Sequence, residues 1–183
     1  MGILLAFAPF IVFAIIDRVA GPLAGLIAGA VVALVLLARD WLVAGRSVKI
    51  LDIGTTLLFA ALVLYSLLAK PTWSVIAVRL CVDSGLLLIV LVSMAVGRPF
   101  TMQYAREQVK PELWSSSEFR RTNYLITGVW ALTFAVMVAA ELVLLYAPGL
   151  PPRVGIIVII LALVGAVKFT GWYPEHVRTR TIS

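Results

Sequence analysis

Residues 74–96, SVIAVRLCVDSGLLLIVLVSMAV, form a long apolar segment near the middle of the chain. It contains only two charged side chains, and its apolar residues run on without the alternation expected of a strand in a membrane barrel. A helix needs about 20 predominantly apolar residues to cross a bilayer. Every backbone polar group in lipid must also be paired within its own segment or within a closed barrel. The stretch therefore predicts a transmembrane helix.

The rest of the chain has the same character. Of its 183 residues, 62% are hydrophobic and 13% charged, with a mean hydropathy of +1.08, which is far from a soluble domain. The apolar segments cover residues 3–16, 19–38, 50–69, 74–96, 124–147 and 154–173. We predict an all-α polytopic membrane protein, a compact bundle of about six membrane segments in which residues 1–183 form a single domain.

The first segment is short for a membrane span. Its roughly 14 residues reach about 21 Å as a helix, against a hydrocarbon core of about 30 Å. Asp17-Arg18 and Gly21-Pro22 follow it directly. We expect a tight helical hairpin, and the first segment either crosses the bilayer or re-enters it.

Cysteine and histidine are too few for several classes of site. Cys81 and His176 are each the only residue of their type. One chain therefore has no disulfide framework, no Cys-rich zinc site and no haem held by two histidines. We expect no metal and no cofactor.

The basic residues predict the orientation, because Lys and Arg near membrane ends stay on the cytoplasmic side. They are concentrated around residues 39–49, in the segment 97–123 and after the last apolar segment. These regions share one side if six segments cross. We predict a multi-pass protein of the bacterial inner membrane, with loop 97–123 and the C-terminus in the cytoplasm.

Loop 97–123 is the only long polar segment of the chain, GRPFTMQYAREQVKPELWSSSEFRRTN. Residues 101–110 have the spacing of a short amphipathic helix, with Met102 and Val109 on its apolar side. Such a helix would lie in the interface and meet anionic headgroups on the cytoplasmic side. The alternative is a solvated, flexible loop whose charges only enforce orientation. The residues assigned to this interface are Arg98, Arg106, Lys110 and Trp114.

Charged side chains within the apolar segments suggest a functional site, because they are costly at membrane depth. Arg79 and Asp83 are spaced i, i+4, and Glu141 is predicted to lie at a similar depth. A cluster of the three would be either a polar site for a substrate, ion or proton, or a latch that fixes helix register. Lys168 is a second intramembrane charge, which either snorkels to the cytoplasm or pairs with Asp52.

Small residues recur every four positions in GPLAGLIAGA, residues 21–30. Gly21, Gly25 and Gly29 lie on one face of a helix. Glycines at this spacing let helix backbones approach closely in lipid. The face packs either within the chain or against a second copy in a homo-oligomer.

The order of these features resembles the bacterial intracellular septation protein A family of small inner-membrane proteins. The resemblance is carried by APFIVFAIIDRVAGPLAGLIAGAVVAL near the start, a basic turn before the third helix, GRPF closing the fourth, Trp114 in the loop and WALTFAVMVAAE in the fifth. It implies a role in envelope maintenance and cell division through partner proteins.

Two features depart from the family pattern. Glu141 stands where such proteins tend to have Asn, and Arg79 and Asp83 place charges where mostly uncharged residues are expected. The resemblance carries over no catalytic residue.

These observations give two hypotheses of function. The first is a non-enzymatic protein of envelope or septum maintenance that acts through other inner-membrane proteins. The alternative is a small oligomeric transporter or channel that uses Asp83 and Glu141 as ion or proton sites. We expect no enzyme, because loop 97–123 has no His or Cys partner for its glutamates, and no nucleic-acid partner, because its basic residues are mixed with acidic ones.

Overall fold

The computed structural model describes residues 2–43, 47–147 and 149–181. Arg46, in the basic turn before the third apolar segment, lies outside these ranges. The described residues form helices joined by short connections, with no strand among them. The all-α prediction is confirmed.

The helices follow the apolar segments closely. In chain order they are α1 (Gly2–Ala6), α2 (Ala8–Ala20), α3 (Pro22–Leu42), α4 (Ile50–Ala69), α5 (Val75–Ala95), α6 (Phe100–Arg106), a single 3₁₀ turn (Pro111–Leu113), α7 (Ser117–Tyr146) and α8 (Pro152–Thr181).

Five of these helices are long and apolar enough to cross a membrane. They are α3, α4, α5, α7 and the part of α8 that runs from Pro152 to Val177. In each, only 11–33% of the most apolar window is buried within the chain, so most of its side chains are at least partly exposed. An apolar outward face suits lipid rather than water. The chain is a helical, multi-pass membrane protein.

The first apolar segment is divided into α1 and α2, and neither is long enough to span a bilayer. The α-helical ladder is interrupted at Phe7, whose carbonyl accepts from the amides of both Phe10 and Ile11. Pro9 has no amide hydrogen and cannot continue the ladder from α1. The 13 residues of α2 reach about 20 Å. Crossing of the bilayer and re-entry both stay predictions for this segment.

Contacts within the chain divide it into two compact units, Met1–Ile89 and Val90–Ser183. In the first, Gly21 alone separates α2 from α3, which pack side by side, and α3 packs in turn on α4. The core of this unit contains Phe13, Leu26, Phe59, Val78 and Val82, contributed by α2, α3, α4 and α5.

In the second unit, α7 packs on α8 and carries α6 against its first half. Trp130 of α7 is 2% exposed, and its indole Nε1 donates to Thr170 Oγ1 of α8 at 3.0 Å. The helices are also close where Leu144 faces Gly155. The predicted single domain of residues 1–183 depends on how the two units associate. It stays a prediction.

Candidate functional site

An ion pair between Arg79 and Asp17 joins α5 to α2 in the first unit. Arg79 lies on α5, and its Nε donates to Oδ2 of Asp17 on α2 at 3.1 Å. Its Nη2 also donates to the carbonyl oxygen of Ala14 at 3.3 Å. One guanidinium therefore holds both a side chain and the backbone of α2.

Asp17 is enclosed by the turn that follows it. Its side chain is buried where α2 meets α3, and a Cβ placed on Gly25 would lie 2.9 Å from its backbone nitrogen. Oδ1 is buried and accepts no hydrogen bond from any described residue. Arg79, by contrast, keeps 24% of its side chain exposed. The two partners therefore differ strongly in their access to solvent or lipid headgroups.

The spacing of charges in the sequence does not predict Asp17 as the partner of Arg79. The sequence does contain one signal for this pairing, the Gly21-Pro22 turn. This turn folds α2 back along α3 and brings Asp17 into the interior. Asp83 lies one turn beyond Arg79 on α5 and is half-buried. Glu141 lies on α7 in the second unit and is 4% exposed. The cluster of Arg79, Asp83 and Glu141 stays a prediction.

A second buried ion pair joins the end of α3 to the residue that precedes α4. Lys49 Nζ lies 2.7 Å from Asp40 Oδ2, and these side chains are 2% and 1% exposed. Arg39 completes the group, with Nη2 2.8 Å from Asp40 Oδ1. Removing one member of such a buried set is strongly destabilising. The arrangement holds the two helix ends together.

The predicted pairing of Lys168 with Asp52 involves residues of different units. Asp52 lies in the first turn of α4 and is 8% exposed. Lys168 is an exposed residue of α8. Their pairing stays a prediction.

The three glycines of the small-residue stripe have different roles. A Cβ on Gly25 would meet the backbone of Asp17 in α2, and one on Gly29 would lie 2.5 Å from the ring of Phe59 in α4. These two positions permit close packing within the chain. Gly21 differs from the expectation: it forms the turn between α2 and α3 at φ 87°, and a Cβ there would have no neighbour within 4 Å.

The polar segment 97–123 is folded against its own unit. Its helix, α6, ends at Arg106 rather than at residue 110. Phe100, Met102 and Tyr104 are 0–5% exposed, so the apolar side of α6 packs into protein. The expectation that Met102 enters the headgroup layer is corrected, because α7 covers that side of α6.

Trp114 packs against the same segment. Its Nε1 donates to the carbonyl oxygen of Val109 at 2.9 Å. The guanidinium carbon of Arg106 lies 5.4 Å from the centre of the Trp114 ring, a cation–π distance. Arg98, Arg106 and Lys110 are exposed, whereas Trp114 is half-buried. The segment therefore has an ordered surface on which these charged side chains are exposed.

Comparisons with known proteins find no match for this chain among protein-family models, curated proteins or solved structures. The resemblance to the septation protein A family therefore stays a prediction. Within the described residues, no group of three or more His, Cys, Asp or Glu side chains is placed to hold a metal ion.

Proposed function

We propose that this protein is a non-enzymatic component of the bacterial inner membrane that serves envelope or septum maintenance by binding other membrane proteins. The observation that supports this proposal best is that the polar segment 97–123 has an ordered tertiary structure. A loop that only set orientation would need its charges and no tertiary structure of its own.

Buried hydrogen bonds hold this segment in place. Thr101 is 3% exposed, and its Oγ1 lies 3.0 Å from the carbonyl oxygen of Asn123 and 2.8 Å from Oγ1 of Thr127. At the start of α6, the amide of Phe100 donates to Ser93 Oγ at 3.2 Å. The segment is thus tied both to α7 and to the end of α5.

The exposed side of the segment has the chemistry of a protein-binding surface. The basic side chains Arg98, Arg106 and Lys110 lie in the same segment as the acidic Glu107 and Glu112, and all five are exposed. Mixed charges on a rigid support favour a partner with a complementary pattern of both signs. The link to the envelope and septum rests on the resemblance to the septation protein A family.

Photo-crosslinking from Lys110 tests the proposal. A photoreactive phenylalanine at position 110 should give discrete adducts with other membrane or division proteins in living bacteria. The matched control is position 132 on α7, where Leu132 is 66% exposed; it should crosslink mainly to lipid.

The folded state of the segment supplies a second test. Thr101→Val keeps the side-chain shape but removes the hydroxyl, so the adducts from position 110 should be lost, whereas Thr101→Ser should retain them. The proposal is wrong if position 110 gives no more protein adducts than position 132 while the protein is correctly inserted.

A small oligomeric transporter or channel is the second candidate. It is favoured by acidic side chains buried among apolar helices, since Asp17 is 2% exposed and Glu141 is 4% exposed. Asp83 and Glu141 are the proposed ion or proton sites. Reconstituted vesicles with an internal pH dye would show flux that Asp83→Asn and Glu141→Gln abolish. Equal leakage from vesicles with and without the protein would eliminate this candidate.

A further inference from the structure

A groove of about 520 Å³ opens in the first unit, where the start of α3, the end of α4 and the start of α5 come together. Its apolar wall includes Leu23, Leu67 and Val78. Ser66, Lys70 and Thr72 supply polar groups at the same opening. The volume is in the range of pockets that take small ligands.

The groove lies where three membrane spans end. Pro22 is the first residue of one span, Ala69 is the last of the next, and Val75 is the first of the third. Beside it, the rings of Tyr65 and Trp73 are 5.5 Å apart, and such aromatic residues are enriched at the level of lipid headgroups. The groove is therefore at the boundary between headgroups and acyl chains.

Lys70 gives the groove a positive charge. It ends α4 in the left-handed conformation at φ 44°, the only residue other than glycine with positive φ in the described part of the chain. Such a conformation is uncommon for a lysine and is maintained by its surroundings. The side chain is exposed and has no ion pair or hydrogen bond with any described residue. A cation without a protein partner thus stands beside two hydroxyl-bearing residues.

We propose that this groove binds an anionic phospholipid. The phosphate is held by Lys70 with the hydroxyls of Ser66 and Thr72, and the upper part of an acyl chain lies on Leu23 and Leu67. Ser66, Lys70 and Thr72 all line this groove, so their polar groups are available to one headgroup. The charge selects an anionic headgroup, and the apolar wall selects a lipid over a free phosphate ion. The inference is independent of the proposed function.

Quenching of Trp73 tests the proposal, because Trp73 lines the groove. The protein is placed in nanodiscs with phosphatidylglycerol or phosphatidylcholine brominated on the acyl chains. The Trp73 signal is the part of the emission that Trp73→Phe removes. Lipid competition should show a preference of about fivefold for the anionic lipid, the effect expected of one interfacial lysine.

Two variants separate the site from general surface charge. Lys70→Gln should reduce the preference to about one. Arg153→Gln removes an exposed basic residue at the start of α8 and should leave the preference unchanged. Inorganic phosphate at millimolar concentration should not release the lipid. Equal quenching by the two lipids, a preference that survives Lys70→Gln, or release by phosphate would overturn the proposal.

Discussion

Breaking the ion pair of Arg79 and Asp17 should have unequal effects from its two sides. Asp17 is 2% exposed in the structure, and Arg79→Met leaves its carboxylate without the guanidinium that pairs with it. Removing one partner of a buried pair costs about 3–5 kcal/mol. Because Arg79 is itself 24% exposed, we expect the lower end, about 3 kcal/mol of unfolding free energy.

Asp17→Leu should be milder, since leucine has the same branching and Arg79 can turn its guanidinium towards the headgroups. We expect a loss of about 1–2 kcal/mol. The double variant removes both charges and should return to within about 1 kcal/mol of the parent, because replacing a whole buried pair by apolar groups is often neutral. The double-mutant cycle should therefore give a coupling of at least about 3 kcal/mol.

The assay is SDS titration in mixed micelles, followed by far-ultraviolet circular dichroism. Arg18→Met is the matched control, because Arg18 is the neighbouring, exposed arginine of α2. It should change the free energy of unfolding by no more than about 0.5 kcal/mol. If Arg79→Met is as stable as Arg18→Met, the ion pair does not hold α5 to α2.

Two further predictions concern the packing glycines and the polar segment. Gly25→Ala and Gly29→Ala should each lower the free energy of unfolding by about 1–3 kcal/mol, because the added Cβ would meet the Asp17 backbone at 2.9 Å or the Phe59 ring at 2.5 Å. Gly128→Ala, with nothing within 4 Å, is the control in the same SDS titration and should not destabilise; equal losses at all three sites would contradict the packing account. Trp114→Ala should speed tryptic cleavage after Arg106 about fivefold, since it removes a hydrogen bond and a cation–π contact together worth about 1 kcal/mol. Trp41→Ala is the control, with a side chain 79% exposed, and unchanged cleavage in Trp114→Ala would mean that Trp114 does not order the segment.

The membrane helices were predictable because lipid imposes one solution on a long apolar segment. Runs such as residues 50–69 and 74–96 appear in the structure as α4 and α5 with nearly the same bounds. The break at Phe7 was harder to place, because the apolar character continues through it and only Pro9 marks the change. The end of α6 was misplaced by four residues for a similar reason: residues 107–110 retain helical spacing without a helix.

The partner of Arg79 was not predictable from spacing alone. Asp17 and Arg79 are 62 positions apart, and the pairing depends on how the Gly21-Pro22 turn folds α2 back along α3. Spacing did suggest Asp83, which shares a helix with Arg79, because a single helix by itself brings together only neighbours three or four residues apart. Gly21 shows the same limit, since the four-residue period includes it while its φ of 87° removes it from the helix.

A cytoplasmic, partner-binding surface requires residues 97–123 to lie inside the cell. Labelling from each side of the membrane measures whether they do. In a Cys81→Ala background, single cysteines replace Thr72 and Ser115, both exposed. An impermeant maleimide added to intact cells should label position 72, and it should reach position 115 only after the membrane is permeabilised. Labelling of position 115 from outside, with position 72 protected, would contradict the orientation and the proposed function that depends on it.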